Sequence, residues 1–420
     1  MQSVVKKKSF NYGWIMISVL TFGSIIAYLD RVSLSYSSTN ISTDFKLSAV
    51  QLGYILGAFQ LPYAFANLPA GWLVDKFGTK KIFFIGSLLW GIITIGAGCT
   101  VGFKSLYFMR VLLGIAEAPF YICGMRLAMD WFDSKKRGLA ISIFNGGNQV
   151  SSVIGGPIMS LMLVSIGWRG AFISLGILGL LVPILWLKFF KENESVSSKK
   201  KPIKQVVAKE NKIKILKLFK QRSTWGMMLG DFCVTYTVWM LLTWLPNYLK
   251  TARGLSTIDV GWVTVLPYLG GVIAVPLGGY ISDLLIKKTK LTPISSRKIP
   301  IIGGTIIAAV VLSPIAIIKS LPIAVALLTL GYAMTELAPG VVWTLVTDVS
   351  PKEIAGTLGA VQNFAAFVGG ACAPVVTGYI LAATGNDFKW AFYIAGISCL
   401  LAAISYGVIL KNPIKLEDLQ

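Results

Sequence analysis

Histidine is absent from all 420 residues. That excludes imidazole acid–base chemistry and the commonest zinc ligand. Cysteine is scarce: Cys99, Cys123, Cys233, Cys372 and Cys399 all fall in apolar stretches, and no two have metal-ligand spacing. No disulfide framework, metal or cofactor is expected from them. Charge is scarce too, at 14% of residues, against about 25% for an ordinary soluble domain. What fills the space is apolar, 55% of the chain.

The apolar residues come in runs of roughly 20, the length that crosses a hydrocarbon core about 30 Å thick. Twelve such runs stand at roughly 13–36, 50–72, 82–100, 105–128, 138–163, 168–190, 224–249, 260–283, 299–318, 322–346, 354–382 and 388–410. Backbone groups in lipid must be satisfied within the segment, so the runs are predicted to be helices and the chain an all-α membrane protein. No small-residue cleavage site follows the short basic start, and span 1 is expected to be its own insertion signal.

A net charge of +21 could suggest a nucleic-acid partner, but the charge is distributed otherwise. Of the 39 Lys and Arg, 29 fall at the two termini or in the loops on the side of the N-terminus, and only seven in the opposite loops. This is the positive-inside asymmetry. It predicts a multi-pass cell-membrane protein with both termini cytoplasmic, a lipid bilayer as its surroundings and no nucleic-acid partner.

The remaining cations, Arg31, Arg110 and Arg126, lie inside spans, and Asp30 and Glu117 share two of those spans. An ionisable group at the centre of a membrane helix costs about 2.5–3.5 kcal/mol on insertion scales. Such groups mark ion paths or substrate sites, so the sequence reads as a transporter. Arg110 and Glu117 are seven residues apart on span 4. They therefore share a helical face, about 10.5 Å apart along the axis. Gly114 between them would let a neighbour approach closely, and Pro119 loosens the helix beyond Glu117.

The two halves of the chain look duplicated. Gly71-Trp-Leu-Val-Asp75 after span 2 answers Gly279-Tyr-Ile-Ser-Asp283 after span 8. Arg137-Gly138, leading to Gly155-Gly-Pro157, answers Ala355-Gly356, leading to Gly369-Gly370 and Pro374. Trp168-Arg-Gly-Ala-Phe172 answers Lys389-Trp-Ala-Phe392. Six-plus-six parallel repeats with a site at mid-membrane form a transporter architecture. The expected division is an N-terminal six-helix half over 1–190, a basic cytoplasmic linker over 191–222 and a C-terminal six-helix half over 223–420.

The segment Gly71-Trp-Leu-Val-Asp-Lys-Phe-Gly-Thr-Lys-Lys81 closely resembles the cytoplasmic loop motif of the major facilitator superfamily. Gly71, Asp75, Gly78 and Lys80, with Asp283 and Arg297 from the second copy, are candidate gating residues. Gly71 is expected to admit a neighbouring helix, and Asp75 to pair with a basic group across the seam between the halves. Tyr28-Leu-Asp-Arg-Val-Ser33, Arg110-Val-Leu-Leu-Gly-Ile-Ala-Glu-Ala-Pro119, Asp130-Trp-Phe132, Thr243-Trp-Leu-Pro-Asn-Tyr-Leu249 and Ser350-Pro-Lys-Glu-Ile-Ala-Gly356 extend the resemblance over nearly the whole chain. It is to the anion:cation symporter family within that superfamily, which includes bacterial sugar-acid/proton symporters and vesicular organic-anion carriers.

The resemblance implies a twelve-helix major facilitator fold of two pseudo-symmetric halves, without enzymatic activity and monomeric by family default. It implies that Asp30 and Glu117 carry protons, that Arg31 holds a substrate carboxylate, and that Arg110 pairs with the acids and couples them. It also places Tyr63, Trp343, Thr344 and Asn363 near the substrate. Tyr63 stands where the vesicular glutamate carriers have histidine, which points to the prokaryotic sugar-acid branch. Asn145, Asn148 and Gln149 share a face of span 5. Asn148 and Gln149 are therefore candidate readers of hydroxyls, with Tyr236 of span 7 a further lining residue; interhelical hydrogen bonding is the alternative. Asp231 and Glu336 receive no role. Two departures, Phe120-Tyr-Ile-Cys123 and Asn145-Gly-Gly-Asn148, bear on the substrate and not on the fold.

The expected function is proton-coupled symport of a small organic anion, a hexonate or related sugar acid. A sodium-coupled or uncoupled carrier, an exporter and, more remotely, a non-transporting receptor remain open at this point.

Overall fold

The computed structural model describes residues 2–191 and 215–419. The basic run at 199–202, and with it most of the expected linker, lies outside the described residues.

Every long element described is a helix. Ten are long and apolar enough to span a bilayer: Tyr12–Phe45, Thr79–Gly98, Phe103–Trp131, Lys136–Phe189, Arg222–Thr251, Thr257–Lys288, Pro293–Leu312, Leu321–Val349, Ala355–Ala383 and Phe388–Ile409. The fourth has 54 residues, about 80 Å at 1.5 Å per residue and far beyond one crossing. It is broken at Gly167, whose φ of 69° and ψ of 174° leave the helical region. A positive φ there suits glycine, which has no Cβ to clash. The fourth helix is thus spans 5 and 6. Span 2 is made of two shorter helices, Ala49–Gly57 and Gln60–Phe77. The twelve expected spans are all present.

Proline sets the interruptions in spans 4 and 10. Span 4 runs Phe103–Glu117 and resumes at Pro119–Trp131. Span 10 runs Leu321–Thr335 and resumes at Pro339–Val349. Proline has no N–H to donate and its ring meets the preceding turn, so the ladder breaks just before it. Glu117 is the last residue of the first piece of span 4, and Glu336 follows the first piece of span 10. The sequence repeat extends to these breaks.

The chain divides into two compact units: Met1–Lys46 with Ala58–Val207, and Leu47–Gly57 with Ala208–Gln420. In the first unit span 1 packs on the spans 5–6 helix, which also packs on span 3. In the second, span 7 packs on spans 11 and 12, and span 9 on span 12. The short helix Ala49–Gly57 belongs to the second unit, where it lies against span 11. Glycine makes that contact possible: a Cβ on Gly53 would lie 2.6 Å from Pro374 O, and one on Gly378 would lie 2.5 Å from Ala49 O. Without a hydrophobic effect between lipid-immersed helices, such close backbone packing is what joins them.

Candidate functional site

Arg31 on span 1 and Glu117 on span 4 form a buried ion pair. Arg31 Nη2 donates to Glu117 Oε2 at 2.6 Å and Nε to the same oxygen at 2.8 Å. Gly114, one turn before Glu117, lets span 4 close on the second piece of span 2: a Cβ there would lie 2.5 Å from Phe59 O. The Arg31 guanidinium sits over three rings, 4.7 Å from the Phe59 centroid, 5.1 Å from Tyr63 and 5.8 Å from Tyr121. These faces stabilise a cation without neutralising it.

Asp30 has different partners. Its Oδ2 accepts from Trp90 Nε1 at 2.9 Å and from Thr94 Oγ1 at 2.5 Å, both on span 3. No arginine lies within 4.0 Å of it among the described residues. Nor does the structure show the expected pairing of Arg110 with the acids. Arg110 is buried on span 4 with its Nε and Nη1 unpartnered, 5.7 Å from the Phe59 ring centroid. Asp30 Oδ1 and Glu117 Oε1 are also buried without a partner. Two acids and two arginines therefore share one region of the first unit with a single ion pair closed between them. Leaving buried charged atoms unsatisfied is costly.

Around this core stand further residues. Tyr63 is buried and stacked on Phe59, with centroids 5.3 Å apart. Asn148 Oδ1 accepts from Tyr121 OH at 2.6 Å and from Ser24 Oγ at 2.8 Å. The interhelical bonding weighed as an alternative for Asn148 is thus present, and it turns the amide nitrogen away as a free donor. Gln149 is partly exposed and shares none of these bonds. Trp90, Thr94, Tyr121 and Ser24 were not singled out in the sequence. The i,i+4 spacing of Trp90 and Thr94 puts them on one face of span 3, but an isolated Trp and Thr carry no signal of an aspartate across the interface.

In the second unit Tyr236 is buried on span 7, and Asn363 is partly exposed on span 11. Trp343 is exposed on span 10, while Thr344 Oγ1 donates to its own helix at Val341 O, 2.7 Å away. No hydrogen bond or ring contact joins these four to one another among the described residues.

The gating candidates form two similar clusters. Asp75 Oδ1 meets Arg126 Nη1 at 3.3 Å, and Arg126 Nε meets Asp130 at 3.6 Å. Asp283 Oδ1 meets Arg297 Nη1 at 2.6 Å, and Arg297 Nε meets Asp348 at 3.2 Å. The acids hold equivalent places in the two repeats, while the arginine comes from span 4 in one and from the start of span 9 in the other. Asp75 thus has a partner within its own unit, Arg126 on the neighbouring helix. Gly71 differs from expectation. A Cβ there would meet nothing within 4 Å, so it is not a point of close approach. Gly78 has φ 85° and ends the second piece of span 2, its N–H bonded to Val74 O at 2.9 Å. Lys80 places its ammonium 5.7 Å from the Phe190 ring centroid, and its carbonyl accepts from Trp186 Nε1 at 3.1 Å.

Comparison with known proteins agrees with this architecture. The chain is 32% identical over 411 residues to a probable L-galactonate transporter of Escherichia coli (strain K12), covering 94% of this chain and 89% of that one. It is 31% identical over 392 residues to a hexuronate transporter of Bacillus subtilis (strain 168), covering 93% of each. Among solved structures, a bacterial homologue of the human lysosomal transporter Spinster superposes with a TM-score of 0.81 at 19% identity, over 97% of this chain and 98% of that one. Residues 20–374 match the Major Facilitator Superfamily. With twelve membrane-spanning helices and relatives named as transporters along nearly its whole length, the chain belongs to that superfamily and is a transporter, not an enzyme.

Proposed function

We propose that this protein is a proton-coupled symporter of a small organic anion, a hexonate or related sugar acid, working by alternating access. One observation carries the reading: the Arg31–Glu117 pair, 2.6 Å long and buried beside a second acid and a second arginine. Arg31 is the cation best placed to take a carboxylate, and at present it is held by the protein's own. An incoming anion competes with Glu117 for Arg31. Glu117, once displaced, is a buried carboxylate without its cation, and taking a proton relieves that. Conversely, a proton on Glu117 frees Arg31 for the anion. Each ligand favours the other, which is coupling by linkage.

Asp30 is the second proton carrier in this scheme. Arg110 supplies positive potential to both acids without closing on either. The free Asn148 amide donates to a hydroxyl or carboxylate oxygen, with Tyr63 and Gln149 as further substrate contacts of the first unit and Tyr236, Trp343, Thr344 and Asn363 as those of the second. The substrate class follows from the relatives named for L-galactonate and hexuronate. The two charge clusters at Asp75 and Asp283 act as latches, both termini are cytoplasmic, and the protein works as a monomer.

The test is uptake into proteoliposomes of a labelled panel of hexonates, hexarates, hexuronates and simple carboxylates. An inward proton gradient should drive accumulation, and an inward sodium gradient should not. Sodium-driven accumulation, or pH-insensitive equilibration alone, would refute proton coupling; failure to carry any sugar acid would refute the substrate class.

A further inference from the structure

The second unit contains an acid within a span, Asp231, that takes no part in the proposed coupling. Asp231 lies on span 7, in helix Arg222–Thr251, and faces Gln362 on span 11, in helix Ala355–Ala383. Gln362 Nε2 donates to Asp231 Oδ2 at 3.2 Å. The two helices are in backbone contact close by, since a Cβ on Gly369 would overlap the carbonyl of Phe232. Gln362 is 2% exposed, and its Oε1 has no donor. Asp231 is partly exposed.

No Lys or Arg nitrogen lies within 4.0 Å of Asp231 among the described residues. Two nearby cations are engaged elsewhere. Arg222 donates to Val408 O at 3.3 Å, and Lys298 to Leu410 O at 2.6 Å. The same helix and the elements packed on it carry the thiols Cys233, Cys372 and Cys399, the phenols Tyr236, Tyr248, Tyr379, Tyr393 and Tyr406, and the charged groups Lys217, Lys220, Lys250, Asp259 and Lys389; none of these lysines is within 4.0 Å of Asp231. Tyr406 OH is buried and unpartnered.

An ionised carboxylate fits this place badly. It would sit in the membrane without a counterion, beside an amide whose own oxygen lacks a donor. A protonated carboxyl fits, because it has one O–H to give. We propose that Asp231 and Gln362 form a proton-binding site, occupied as a cyclic acid–amide pair. In that pair Gln362 Nε2–H donates to Asp231 Oδ2, and Asp231 Oδ1–H donates to Gln362 Oε1. The proton comes from water and returns to it when Asp231 ionises. Sodium is a poorer occupant, since the amide presents N–H, a donor, toward the carboxylate. This site needs only that the protein is a membrane transporter, and it stands whether or not Asp30 and Glu117 carry protons.

Infrared spectroscopy of the purified full-length protein in liposomes tests it, comparing wild type with Asp231→Asn and Glu117→Gln. The expected result is a carbonyl stretch of a protonated carboxyl that is lost in Asp231→Asn, kept in Glu117→Gln and abolished in wild type at high pH. Loss of only carboxylate bands in Asp231→Asn would overturn the proposal. Thermal stability gives a second reading. Asparagine can make the same two bonds to Gln362, so Asp231→Asn should melt with the wild type, while Asp231→Ala melts lower. If the Asn and Ala variants were equally destabilised, the site would need the charged form and the proposal would fail.

Discussion

At the scale of single residues, the chemistry rests on which partner each charge has. Arg31 places two nitrogens on one oxygen of Glu117 and lies over aromatic faces. Lysine can reproduce the charge but neither the fork nor the flat stacking. Arg31→Lys should therefore weaken substrate binding by about 1.5–3 kcal/mol, the range for a hydrogen bond to a charged group. Direct binding to the purified protein would read this as a rise in Kd. Trp90→Phe removes one of the two donors to Asp30 Oδ2. It should lower stability by about 1–3 kcal/mol, seen as a fall in melting temperature; an unchanged melting temperature would remove Trp90 from the account. The residue types of this site were legible in the sequence, because Asp, Arg and Glu inside apolar spans stand out against their surroundings. Their pairing was not: Arg31 closes on Glu117 rather than Arg110 doing so, and that depends on where helices approach, which no spacing within one helix reveals.

At the scale of elements, glycine and proline positions decide how the helices run and meet. Pro119 and Pro339 interrupt spans 4 and 10 near Glu117 and Glu336; the loosening at Pro119 is anticipated from the sequence, while the break at Pro339 is not, although proline's missing N–H explains both. Close approach was harder to foresee. Gly71 belongs to the recognisable motif, yet its Cα faces open space, whereas Gly53, outside any motif, sits against Pro374 O. A glycine's role depends on the facing surface, which belongs to another helix. Gly53→Val should accordingly cost about 1–3 kcal/mol or more, because a backbone carbonyl cannot move aside as a side chain can. Gly71→Ala should lie within about 0.5 kcal/mol of wild type. Melting curves of the two variants in one detergent provide the comparison, and equal effects would contradict the packing described.

At the scale of the whole molecule, span count and fold were legible because both follow from the bilayer: length from its thickness and helicity from its lack of hydrogen-bonding partners. The excess of Lys and Arg in alternate loops further predicts that both termini are cytoplasmic. In a cysteine-depleted background, Lys76→Cys should react with a membrane-impermeant maleimide only from the cytoplasmic side, and Lys104→Cys only from the other; the reverse pattern would invert the proposed topology. The central claim is that Glu117 links proton to anion through Arg31. It is tested most directly by comparing anion exchange with proton-driven accumulation in Glu117→Gln proteoliposomes. Exchange of internal for external anion should persist while accumulation under an inward proton gradient is lost. Full accumulation by Glu117→Gln would contradict it and leave the Arg31–Glu117 pair a structural strut.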